Sequence, residues 1–152
     1  MGQGEWLRMV TDIEKLFPDL VGRPYQVTSP ADDVYNCIAW AAGSSSVWWW
    51  PMDAPGHYWP AGVPKVESLS AFQAVFDDLG YSVCADAESE NGFEKIALFA
   101  DSHGQPTHAS RQRPNGRWTS KLGKLEDIEH DLRDIVGVEY GAIALVINRP
   151  KP

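Results

Sequence analysis

The hydrophobic period of the chain changes once, near Gly80, and that change limits the folds open to it. Before Gly80 the apolar residues recur at helical spacing. Trp6, Met9, Val10, Ile13, Leu16 and Phe17 predict a helix over 5–17, stopped by Pro18, with a loop at Gly22-Arg23-Pro24. Residues 32–43 read as a second helix ending at Gly43. Leu69, Phe72, Val75, Phe76 and Leu79 form the inward stripe of a third over 69–79, with Ser68 as cap and Gly80 as stop. After Gly80 short β-type runs take over. They lie at Tyr81–Cys84, 95–100, 106–112 and 117–121, with Pro114-Asn115-Gly116 as a hairpin turn between the last two. One more helix is expected over 127–136, with Ile128, Leu132, Ile135 and Val136 inward and His130 turned partly outward. Residues 140–148 read as a closing central strand. Helices followed by strands give an α+β class, with N-terminal helices packed on a mostly antiparallel sheet.

The 152 residues fit one domain, 1–152, with an N-terminal helix and linker over 1–25. Thirteen Lys and Arg stand against 21 Asp and Glu, a net charge of −8. That balance disfavours nucleic acid and anionic membrane surfaces, both of which recruit cations. No apolar run reaches the roughly 18 residues of a transmembrane span. The N-terminus lacks a basic region followed by an apolar one. The default expectation is a cytoplasmic protein, or one exported without a signal peptide. Cys37 and Cys84 are too few for a disulfide scaffold, and the scattered histidines have no metal-ligand spacing, so neither metal nor cofactor is expected. The sequence leaves the oligomeric state open.

Residues 44–67 are rich in Pro, Gly and Trp, and carry Trp48, Trp49, Trp50 and Trp59. Rings this large demand a surface to cover. The segment reads as an ordered loop that either shields a core edge or walls a groove beside the preceding helix. In the second case these four residues bind substrate.

The chemistry-bearing candidates are Cys37 and His108. If Asn36 caps the second helix, Cys37 stands in its first turn, where orphan N–H groups lower a thiol pKa. If Ser29 caps it with Pro30 at the first position, Cys37 lies mid-helix. An imidazole on a later strand would activate the thiol, making Cys37 more reactive than Cys84. A symmetric hairpin about position 114 would set Ser120 opposite His108 as its orienting group. A one-residue slip would present Thr119 or Lys121 instead. Glu126 and Asp127 read as the cap of the last helix, with Asp127 a second candidate for orienting His108.

Asn-Cys heading a helix, a His opening a strand (Thr107-His108-Ala109), and Gly116-Arg117-Trp118-Thr119-Ser120-Lys121-Leu122-Gly123 on the next strand together resemble the papain-like cysteine peptidase superfamily. The resemblance implies a small thiol hydrolase architecture with Cys37 as nucleophile, His108 as base and Ser120 as orienting residue. The sequence departs from that pattern in two places. Ser120 replaces the usual Asn or Asp, and no Gln stands just before Cys37 as an oxyanion donor, Gln26 lying eleven residues upstream. The longer pattern NCIAWAAG, WWWP, YWP, EKIALFA, PTHASRQ, GRWTSKLG, DIEH and YG also resembles an uncharacterised bacterial family over about residues 34–148, which implies no activity.

Two functions follow as expectations. One is a hydrolase or acyl transferase acting on an amide, as peptidase, amidase or deamidase, with a peptide or protein substrate. The other is a non-catalytic module on the same fold that binds a protein partner through the Trp-rich loop.

Overall fold

The computed structural model describes residues 2–152. Helix α1 spans Gln3–Leu16 and buries Met9 and Ile13 on its inner face. Removing such a side chain from water stabilises by roughly 1.5–3 kcal/mol. A 3-10 turn at Pro18–Leu20 follows, then strand β1 at Gln26–Ser29. Helix α2 is short, Cys37–Ala41. The aromatic segment supplies β2 (Trp48–Trp49) and β3 (His57–Tyr58), a two-stranded parallel ribbon. Helix α3 covers Leu69–Asp78. The remaining strands are β4 (Ser82–Val83), β5 (Phe93–Ala100), β6 (Pro106–Gln112), β7 (Trp118–Lys121), β8 (Asp127–His130) and β9 (Ala142–Pro150).

Seven strands form one sheet in the order β1-β8-β7-β6-β5-β9-β4, with every neighbouring pair antiparallel. Strands β5 to β8 are a meander. Alternation along β5 divides the core between two layers. Ala97 and Phe99 join Met9, Ile13, Phe17 and Leu20 in one apolar cluster. Ile96 and Leu98 join Cys37, Ile38, Phe72 and Phe76 of α2 and α3 in the other. Helical elements therefore cover both faces, and the α+β reading holds.

The last predicted helix is not one. Residues 127–130 form β8, and Leu132–Ile135 is a single 3-10 turn. Asp-Ile-Glu-His alternates with period two, and β7 offers a ready partner, pairing Ser120 with Ile128 and Trp118 with His130. Those ladder bonds outweigh a helical spacing carried by few residues. The second helix is also shorter than 32–43, because Asn36 caps it late. Strand β9 lies between β5 and the edge strand β4, one place from the border of the sheet.

Gly141 shows how tightly the end of β5 is closed. Its φ is +77°, and a Cβ there would lie 2.1 Å from the Ala100 carbonyl oxygen. Only glycine allows the chain to pass so close, and this passage places Tyr140 beside β6.

Candidate functional site

Asn36 decides where α2 begins. Its Oδ1 accepts the Ala39 N–H at 3.1 Å, satisfying one orphan donor of the first turn. The same oxygen accepts the Trp49 N–H at 3.1 Å, and its Nδ2 donates to the Trp49 carbonyl at 2.8 Å. One side chain thus starts the Cys helix and ties the aromatic ribbon to it. At the other end, the Ser44 N–H reaches the Ala39 carbonyl at 2.8 Å while Gly43 adopts φ +91°, a six-to-one closure.

Cys37 occupies the first helical position and is 6% exposed. Burial pushes its thiol up to about 11, against the opposing pull of the Ala109, Ile38 and Cys37 backbone N–H groups and the Lys121 charge. The helix-start effect is present, but desolvation exceeds it. At neutral pH the resting group is a thiol. Cys84 is more open, and its sulfur donates to the Asp86 carbonyl at 3.5 Å. Resting accessibility therefore runs opposite to the reactivity order expected from the sequence.

His108, in β6, is fully buried. Its ring lies flat on Tyr140, with centroids 3.9 Å apart and planes 9° from parallel. Its Nε2 is 2.9 Å from Ser120 Oγ, whose other neighbours are Ser110 Oγ at 2.7 Å and His130 Nε2 at 2.7 Å. His130 Nδ1 is 2.7 Å from the Asp131 carbonyl oxygen.

The protons in this network follow from donor and acceptor capacity. A carbonyl only accepts, so His130 Nδ1 carries hydrogen. Burial lowers the His130 pKa to about 4, so the ring is neutral at pH 7 and its Nε2 accepts. The Ser120 hydroxyl spends its one proton on that nitrogen. Ser120 Oγ must then accept from both Ser110 and His108, which makes His108 the Nε2–H tautomer. Its Nδ1 is an unprotonated nitrogen, buried and without a hydrogen-bond partner among the described residues. Burial, with a smaller contribution from His130, holds the His108 pKa well below the usual imidazole range, so this base is uncharged.

The hairpin register accounts for the contact with Ser120. Arg111 pairs with Thr119 and Gln112 with Trp118, so the turn centres on 115, one residue beyond the symmetric expectation. Pairing shifts by two, which preserves the face. Ser120 falls beside Ser110 and meets His108 diagonally. Strand parity, not the symmetric turn, brings the two together.

The family model described as "Domain of unknown function (DUF7689)" matches residues 26–148, well over half of the chain. The chain belongs to this family. No curated protein and no solved structure matches it. The DUF7689 match begins with β1 and ends inside β9, so it takes in the thiol, the imidazole network and the aromatic ribbon.

In this DUF7689 domain Ala109, next to His108, packs in the same apolar cluster as Cys37. The imidazole projects from the other face of β6, where His108 pairs with Phe99 and packs against it in the layer opposite Cys37, and no hydrogen bond joins thiol and ring among the described residues. Asp127 does not orient His108. It is buried on the other face of the sheet, accepting from Ser29 at 2.8 Å and from the Tyr35 hydroxyl at 3.2 Å. Lys121 shares that face. Its Nζ donates to the carbonyls of Asp32, Gly123 and Leu125 at 2.6, 2.5 and 2.8 Å, fastening the approach to Asn36 onto the turn after β7.

The four tryptophans separate. Trp50 and Trp59 lie against Phe72 of α3, with centroids 5.2 and 5.1 Å away, and cover the core. Trp49 leans on Tyr58 at 4.7 Å, and its buried indole N–H has no acceptor among the described residues. Trp48 faces His57 across the ribbon and borders a shallow cavity with Asp33 and Val34. No helix is long and apolar enough to cross a membrane among the described residues.

His130, Ser110 and Tyr140 were missed as site residues. For the first two the signal was in the sequence. Positions 108, 110, 120 and 130 share one strand parity, but the helical stripe over 127–136 hides 130. Nothing local to Tyr140 announces its stacking on His108.

Proposed function

We propose that this chain is a thiol acyl-transfer enzyme of papain-like layout that cleaves or transfers at an amide carbonyl. The observation that supports the reading is the bare His108 Nδ1. Native folds seldom bury an unpaired polar atom, and here a network of four side chains fixes the tautomer that leaves it unpaired. The nitrogen belongs to the residue preceding Ala109, which packs with Cys37 on the opposite face of the sheet.

The reaction starts from a neutral pair. The step requires the start of β6 to turn so that the His108 ring, on the Phe99 face at rest, reaches the thiol. As Sγ then attacks the carbonyl carbon, the thiol proton passes to His108 Nδ1 and the carbonyl electrons move onto oxygen. Collapse of the adduct breaks the C–N bond, and the departing amine takes the proton from Nδ1. Water, deprotonated by the same nitrogen, hydrolyses the thioester and restores the thiol. The Cys37 N–H and the unpaired Trp49 indole N–H are the donors on offer to the oxyanion. Because Cys37 is buried at rest, the carbonyl enters only when the aromatic ribbon tied to Asn36 moves aside.

The second reading, a non-catalytic binding module, is favoured by one observation: the resting thiol is covered and makes no hydrogen bond to His108.

Acetylation by p-nitrophenyl acetate separates the two. The enzyme reading expects a burst of one acetyl group per chain, mapped to Cys37 by mass spectrometry. The burst persists in Cys84→Ala, vanishes in Cys37→Ala, and slows about 100-fold or more in His108→Gln, the usual scale for losing a general base. Acetyl found only on Cys84, or a burst indifferent to His108→Gln, defeats it.

A further inference from the structure

Beyond the C-terminal end of α2 lies a cavity of about 410 Å³, within the range of small-molecule sites. Its charge runs against that of the whole chain. The protein carries a net −8, but four of its 13 Lys and Arg (Arg111, Arg113, Arg149 and Lys151) line this one cavity, with Glu94 as the lining acid.

Two of the guanidinium groups are held on aromatic faces. Arg111 lies 4.4 Å from the Trp40 ring centroid and donates to the Trp40 carbonyl at 3.3 Å. Arg149 lies 4.6 Å from the Tyr81 centroid, donates to the Leu79 carbonyl at 2.6 Å and pairs with Glu94. Arg113 pairs with Glu129 at 3.1 Å. Arg111 and Lys151 have no carboxylate partner among the described residues. A fixed, unneutralised guanidinium facing a concave space is the arrangement that binds carboxylate or phosphate through paired N–H donors. The carbonyls at the end of α2 do not oppose an anion strongly, because those of Ala39 and Trp40 already accept bonds from Ser44, Gly43 and Arg111.

We infer that this cavity binds a small, multiply charged anion of phosphate or carboxylate type, with Arg111 as its main ligand and Lys151 at the rim. The site needs neither Cys37 nor His108, so it stands apart from the acyl-transfer proposal.

Isothermal titration of the full chain with inorganic pyrophosphate, and separately with citrate, at constant ionic strength tests it. Saturable one-to-one binding is expected, and the tighter of the two anions identifies the preferred group. Arg111→Gln should weaken binding at least tenfold and Lys151→Gln several-fold, while Cys37→Ala leaves it unchanged. In a two-dimensional NMR spectrum the Trp40 indole N–H, bonded to Thr119 Oγ1 at 3.2 Å, should shift on titration. No saturation by about 10 mM, or equal binding by wild type and both charge variants, overturns the inference. If Arg111→Gln does not fold, the Lys151→Gln and NMR measurements decide.

Discussion

At the residue scale the site depends on keeping two imidazoles neutral. His130 is held at about 4 against an ordinary 6.5. The folded protein refuses a proton that the unfolded chain accepts below pH 6.5. Its stability contribution is therefore complete above about 6.5 and is lost as pH falls toward 4. The difference corresponds to about 3 kcal/mol, and His108 acts in the same direction. Urea unfolding between pH 7 and 4 should show this decline, and His130→Gln should flatten part of it. Thiol accessibility gives a second outcome. With Cys37 buried and at about 11, iodoacetamide near pH 8 should alkylate Cys84 first, and the Cys37 rate should keep rising toward pH 11. Alkylation of Cys37 first would mean that the thiol is open at rest. The residue types of this site were legible in the sequence: Asn36 as a cap, Cys37 at a helix start, Ser120 beside His108. The depth of Cys37 was not, because burial is set by α3 and the aromatic ribbon, which are distant in sequence.

At the element scale, Asn36 holds α2 and the ribbon together. Asn36→Ala loses the cap and strands the N–H and C=O of Trp49. The sum is about 2–4 kcal/mol, combining a cap of roughly 0.5–2 with unsatisfied buried groups of about 1–3. Asn36→Ser keeps a capping oxygen but no amide donor, and should recover about half of the loss in urea unfolding. Equal stability of wild type and Asn36→Ala would show that the ribbon is held by aromatic packing alone. Strong periodicity made α1, α3 and the hairpin legible. Short elements were not. Strand β1 is four residues at a sheet edge, and β8 shares its sequence with a plausible helical stripe. In both, pairing with β7 and β8 decides the conformation, and pairing is a property of the whole sheet.

At the scale of the whole molecule, one antiparallel sheet gathers the candidate groups from remote parts of the chain onto its two faces. Helix α2 lays Cys37 on Ala109, while β7 and β8 present Ser120 and His130 to the ring of His108. Tyr140, placed by the tight passage at Gly141, closes over that ring. Register, rather than any local motif, makes His108 a base, and register could be read from sequence only to parity. This assembly leaves His108 Nδ1 unprotonated and uncharged, on the residue next to the Ala109 against which the thiol packs. Long-range proton–nitrogen NMR of the histidine rings measures it directly at pH 7. Hydrogen is expected on His108 Nε2 and on His130 Nδ1, with a bare His108 Nδ1 and loss of that fixed tautomer in Ser120→Ala. A proton on His108 Nδ1, or a charged His108 ring, would contradict it.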